Sequence, residues 1–236
     1  MTTSQRVSKN DRLSEHDKSS QIVSRKRVAD HGEVFTAERE VNAMLDLVKN
    51  ETLRIDSRFL EPACGTGNFL IEILRRKLDV VKGKYKDKSS QELYEKLALQ
   101  AISSIYGIDI LSDSIAQCRE RLYLYFEAEY KSLFKASIDE DILKSAKFLL
   151  EKNIVQGDAL SMKLVGSDEG ITFVEWSFIG QNFKGSVFVY SQIQQDISEA
   201  DTLFVYASDN GEDVFIPKAI KEYPLTSYRR LYELGA

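Results

Sequence analysis

The stretch FLEPACGTGNFLIEILRRKL, residues 59–78, constrains the fold more than any other. Phe59 and Leu60 make a short apolar run closed by Glu61 and Pro62, and a small-residue turn carrying Gly65 and Gly67 follows. A helical pattern then starts at once, with Phe69, Leu70, Ile73, Leu74 and Leu78 on its apolar side. The glycines open conformations closed to other residues and let a ligand come close to the backbone. The first turn of the helix offers unpaired N–H groups at the same point. A strand, a tight turn and a helix in this order belong to an α/β layer structure.

The rest of the chain repeats that alternation as far as residue 160. Val41, Met44, Leu45 and Val48 recur at helical spacing in 38–50. A lysine-rich stretch with Gly83 and a KDKSS break separates the helix after residue 67 from the next one, QELYEKLALQAISS. IYGIDI, 105–110, reads as a strand, and SDSIAQCRERLYLYFEAEYKSLF as a long helix opened by a Ser/Asp cap. DEDILKSAKFLLEKN is a further helix, and NIVQGDAL, 153–160, is strand and turn. The expected fold class is therefore α/β, a doubly wound, mostly parallel sheet with its ligands at the carboxyl ends of the strands. Beyond residue 165 the chain becomes aromatic and β-branched, in GITFVEWSFIGQNF, GSVFVYSQI and TLFVYASDNGEDVFI. The expected organisation is a polar arm over 1–27, the α/β domain over 28–165, and strands with an extended tail over 166–236 that complete the sheet or form an interface.

Three of the predicted strands end in an acid: Glu61, Asp109 and, one residue past a glycine, Asp158. In a doubly wound sheet such ends line one crevice. A strand-end carboxylate accepts from both hydroxyls of a ribose, and a short acid accepts from the exocyclic amine of a base. Alone, each has a plain explanation as a tight connection or a helix cap; three in chain order favour a nucleoside ligand. Phe35 and Thr36, before the first helix, add a hydroxyl and backbone amides suited to a carboxylate, or a simple N-cap.

Composition narrows the classes. No apolar run approaches the ~18–20 residues of a membrane span, and the N-terminus has no apolar signal core, so a cytoplasmic protein is expected. Cys64, Cys118, His16 and His31 do not make a disulfide framework or a zinc site of the usual kind, and no metal is expected. A net charge of −5 and a pI near 5.3 announce no global attraction to nucleic acid, and leave DNA to a local basic face or a complex.

With these residues in place, LEPACGTGNFLIEIL resembles motif I of the adenine-N6 DNA methyltransferases, especially the modification subunits of type I restriction systems and their fused, type IIG-like relatives. GEVFTAEREVNAML is similar to the segment that precedes it there, SIYGIDIL to motif II and NIVQGDAL to motif III. The resemblance runs from about residue 28 to about residue 160 and implies a Rossmann-like fold that binds S-adenosylmethionine. Carried over by position, Glu61, Ala63, Gly65, Thr66 and Gly67 surround the methionine and ribose side of the cofactor, and Phe35 and Thr36 meet its carboxylate. Asp109 holds the ribose hydroxyls with Ile110 beside the adenine, and Asp158 accepts from the adenine amine with Ala159 and Leu160 near it. Ala37 stands where many relatives carry proline.

Motif IV of that family, Asn/Asp-Pro-Pro-aromatic, supplies the groups that accept the amine hydrogens of adenine and stack on the flipped base. The chain holds only Pro62, Pro217 and Pro224, no two adjacent, so the motif is absent. Glu175 and Trp176 in FVEWSF come closest to it in chain order, beside the plainer reading of an amphipathic strand. The tail DVFIPKAIKEYP resembles the ends of short methylase-like proteins that also lack the motif. The implied function is adenine-N6 DNA methylation within a complex, a partner subunit supplying the catalytic motif or target recognition. A catalytically inactive, cofactor-binding regulatory or scaffold subunit is the alternative, and a methyltransferase of another substrate class a third.

Overall fold

The computed structural model describes residues 36–88, 90–135, 137–192 and 218–235. The chain divides into two units between Leu47 and Val48. In the first, helix α1 (Glu38–Leu47) carries Glu38 and Glu40 in its first turn, where the helix dipole favours acids. Val41 and Leu45 are its buried residues, as their spacing of four requires. The predicted 1–27 arm and the TLFVYASDNGEDVFI segment lie outside the described residues.

The second unit opens with the short helix α2 (Lys49–Thr52) and then alternates strands and helices: β1 (Phe59–Glu61), α3 (Asn68–Lys88), α4 (Gln91–Ser103), β2 (Ile105–Asp109), α5 (Ser112–Phe134), α6 (Glu140–Asn153) and β3 (Ile154–Asp158). The three strands are parallel in the order β1–β2–β3, and β4 (Lys163–Leu164) runs antiparallel on the outside of β3. Four of the five β2 residues are buried, as expected of a central parallel strand covered on both faces. This mixed α/β unit with its parallel sheet is compatible with a Rossmann-like fold. Doubly wound sheets also extend beyond their first strand on the other side. Among the described residues β1 pairs only with β2, so the strands step outward from β1 in one direction.

Helix α3 is longer than the lysine-rich sequence suggests, running through Gly83 to Lys88. Its apolar stripe explains the extension. Leu70, Leu74, Leu78 and Val81 are fully buried, and Tyr85 continues the spacing to pack edge-on against Tyr94 and Phe134. Two helix starts are capped by side chains. Ser90 Oγ accepts from Leu93 N at 3.2 Å before α4, and Asp139 Oδ1 accepts from Asp141 N at 3.0 Å before α6.

Alternation along β2 separates two faces. Gly107 lies under α3, where an added Cβ would meet Leu70 Cδ1 at 2.9 Å and Cys64 Sγ at 3.0 Å. Tyr106 and Ile108 point the other way and cluster with Ile171, Phe173 and Tyr190. The latter belong to, or flank, a hairpin of β5 (Thr172–Ile179) and β6 (Asn182–Val189), whose tight turn puts Gly180 at φ 63°. Two short strands, β7 (Lys221–Glu222) and β8 (Thr226–Ser227), pair with β6. The aromatic strands thus form a second, antiparallel sheet that covers the first, joined to it by Tyr106 Oη donating to Val174 O at 3.1 Å.

The 3-10 segment Tyr228–Gly235 is tied to the helices by polar contacts. Glu95, fully buried, accepts from Tyr130 Oη at 2.6 Å, Gln91 Nε2 at 2.9 Å and Tyr228 Oη at 3.3 Å, and pairs with Arg229 at 2.7 Å. Removing the cation leaves this carboxylate with neutral donors alone. Arg229→Met is therefore expected to cost about 2–3 kcal/mol, read as a lower urea midpoint at unchanged slope.

A second buried charge lies below β1. Lys77, fully buried, donates to Ile55 O, Ser57 O and Ser104 Oγ. Burial pushes its ammonium from the usual 10.5 down to about 7, against the opposing pull of Asp56 and Glu51. Between these values the unfolded chain holds more protons at this position than the folded one, so stability rises with pH. Denaturation at stepped pH should show wild-type protein gaining stability from about pH 7 to 10.5 relative to Lys77→Met, with no change in that difference below about pH 7.

Candidate functional site

The register of the parallel strands assembles the three acids. Glu61 pairs with Gly107 and Asp109 with Gln156, so Glu61, Asp109 and Asp158 fall on the same face of successive strands. Each lies two residues beyond the level of the one before, a step of roughly 6–7 Å. The crevice is thus a staircase, with the glycine turn at its first step.

The turn is folded onto β2 by its own backbone. Cys64 N donates to Ile108 O at 2.9 Å, Gly67 N to Cys64 O at 2.8 Å, and Ile71 N to Gly67 O at 2.9 Å. Gly65 and Gly67 have φ of 50° and 87°, values that favour glycine. Gly67 meets a second restriction, because a Cβ there would stand 2.7 Å from Cys118 Sγ on α5.

Asp109 joins turn and strand. Its Oδ2 accepts from Gly65 N at 2.9 Å and its Oδ1 from Leu111 N at 2.8 Å. Leu111 occupies the cap position of α5 and makes no side-chain cap, so the expected Ser/Asp cap gives way to Asp109 capping from the strand end. A carboxylate has about four lone-pair sites, so two remain for a ligand after these two amides.

Glu61 and Asp158 end the strands on either side of Asp109. Glu61 is half-buried, its carboxyl raised by burial against the opposing hydrogen bond from Ala63 N at 3.3 Å. Asp158 is held below the usual carboxylate range by Ser161 first and then by the Leu160 amide, which donates to Oδ1 at 2.9 Å. Ile110 and Leu160, expected beside an adenine, are 48% and 94% exposed, an apolar pair after the second and third acids. Ala159 packs on the Tyr106 cluster. Thr66 turns towards α5, where Arg121 holds it. Thr36 lies two residues before α1 in the first unit, and Phe35 lies outside the described residues.

Glu175 and Trp176 do not join the crevice. Glu175 pairs at 2.8 Å with Arg58, the residue before β1, which puts it at the N-terminal ends of the strands. Trp176 is 8% exposed, stacked on Tyr223 at 5.6 Å and edge-on to Phe148, with Gly185 against its ring. A ring face buried at the opposite end of the sheet offers no platform for a base, and the pair takes the plainer reading, an amphipathic strand.

Cys64 and Cys118 are free and buried. A hydrogen bond to Cys118, with burial next, pushes the Cys64 thiol far up, so it stays protonated and serves packing. Sequence reasoning missed Cys118 as the floor under Gly67 and Arg121 as a partner of the turn. A glycine inside the IYGIDI strand was the one available sign of a close approach, at Gly107.

Gly67→Ala combines a left-handed backbone with a steric clash and should destabilise the protein by about 2–4 kcal/mol in chemical denaturation. Adding Cys118→Ala should return the steric part and leave the backbone part.

Residues 42–140, less than half of the chain, match the family model described as an RMKL-like methyltransferase domain. No curated protein and no solved structure matches the chain. The matched segment runs from α1 to the start of α6 and contains the glycine turn and Asp109, so the family model supports a methyltransferase-like function for the site just described.

Proposed function

We propose that the chain is the S-adenosylmethionine-binding part of a nucleic-acid methyltransferase of the adenine-N6 DNA class, working in the cytoplasm with a partner that supplies the catalytic motif or target recognition. The observation that carries this is Asp109: one carboxylate fixes the glycine turn and the start of α5 and keeps acceptor capacity for ribose hydroxyls. Methyltransferase domains generally use S-adenosylmethionine, and motifs I to III by resemblance fall on the turn, β2 and β3 in order.

The residues present suit that cofactor. Asp109 would take the ribose, Glu61 and the turn from Ala63 to Gly67 the methionine side, and Ile110, Asp158, Ala159 and Leu160 the adenine. When bound, the cofactor supplies a methyl group activated on a sulfonium. This chain's residues would orient it; the acceptors for the target amine would come from elsewhere, because the sequence has no Asn/Asp-Pro-Pro-aromatic motif. Among the described residues no strand pairs with the other side of β1. In doubly wound sheets the strand beyond the first forms the second wall of the ligand crevice.

Calorimetric titration with S-adenosylmethionine tests the reading. Wild-type protein should bind, and Asp109→Ala should lose about 1.5–3 kcal/mol, the scale of hydrogen bonds to a charged group. Equal affinity in the two proteins would remove Asp109 from the site and with it the proposed function.

A further inference from the structure

Arg121 belongs to no motif of the sequence and to no crevice residue set, yet it reaches the glycine turn from behind. It stands on α5 three residues after Cys118, hence nearly one helical turn further on and on the same side. Its Nη1 lies 2.6 Å from Thr66 O, 3.0 Å from Thr66 Oγ1 and 2.9 Å from Asn68 Oδ1. Thr66 is the residue between the two left-handed glycines, and Asn68 is the first residue of α3.

This arrangement answers a physical problem. A turn with two glycines has the widest choice of alternative conformations, and a ligand that must order it gives up affinity. The amide of Gly65 is fixed from β2 by Asp109, and that of Gly67 within the turn by Cys64 O. The acceptors of Thr66 and Asn68 are gathered by one guanidinium on α5. The same short loop is thus held at a donor from β2 and at its acceptors from α5.

We infer that Arg121 is a positioning residue, holding the 65–67 turn in its ligand-ready geometry from α5 without touching the ligand. The inference rests on the proposed binding of S-adenosylmethionine at this turn, and its test separates the two. Arg121→Met keeps the apolar stem and removes the donors. Amide hydrogen exchange should then quicken at Gly65, Gly67 and Ile71, while α4 and β2 exchange as in wild type and the melting temperature holds. S-adenosylmethionine should bind about tenfold more weakly. In Arg121→Ala, millimolar guanidinium should restore binding, and the same ion should leave wild-type affinity unchanged.

Turn amides that exchange alike in wild type and Arg121→Met overturn the inference, as does unchanged affinity. Weakened binding that guanidinium does not restore, with a lowered melting temperature, also overturns it by making Arg121 a general stabiliser. If wild-type protein binds no S-adenosylmethionine, the functional reading falls, and the exchange comparison alone then upholds or overturns the hold of Arg121 on the turn.

Discussion

Two hydrogen bonds join the two halves of the site on which the rest depends: Gly65 N to Asp109 Oδ2, across 44 positions of sequence, and Cys64 N to Ile108 O. β1 has three residues and is too short to fix the turn after it by strand pairing alone. The carboxylate at the end of β2 provides the missing constraint, and its second oxygen starts α5 through Leu111 N. α5 then returns support to the turn through Cys118 under Gly67 and Arg121 on Thr66. Turn, strand end and helix start therefore form a closed loop of contacts, in which a change at one member is felt by the other two.

The opposite end of the sheet is held in a different way. There, buried polar groups staple strands to helices: Lys77 gathers the chain before β1 and Ser104 before β2, and Asn153 Nδ2 donates to Ser103 O at 2.9 Å before β3. Glu175 and Arg58 close the same end from the second sheet. These groups fix the strands at their N-terminal ends, which leaves the carboxyl ends free to carry the turn and the acids. The buried charge thus lies at one end of the strands and the exposed acceptors at the other.

The sequence made the local parts of this legible and the non-local parts not. The glycine turn, the strand-end acids and the apolar stripes of α1 and α3 depend on residues close in the chain, so spacing was enough to find them. Helix α3 overran its expected end because Val81 is buried and Tyr85 packs on Tyr94 of α4 and Phe134 of α5, which local propensity does not report. The catalytic reading of Trp176 fails for a similar reason. FVEWSF carries an acid and an aromatic in the order a catalytic motif needs, but alternation in β5 sends them to different neighbours, and Tyr223, almost fifty residues on, takes the ring. Arg121 gave no sign at all, since an exposed arginine on a long helix reads as a solvated face until the fold brings the turn to it.

The single direction of the parallel strands bears on what the site can do. The order β1–β2–β3 puts the glycine turn, Asp109 and the exposed pair Ile110 and Leu160 along one row of carboxyl ends. In doubly wound sheets the ligand crevice opens where the strand order reverses, on the side beyond the first strand. Here that side of β1 has no paired strand among the described residues, and Leu60 stands 39% exposed beside it. The nearest catalytic look-alike is buried at the far end of the sheet, so on the proposed reading these strand ends hold the nucleoside and the acceptors for the target amine come from elsewhere.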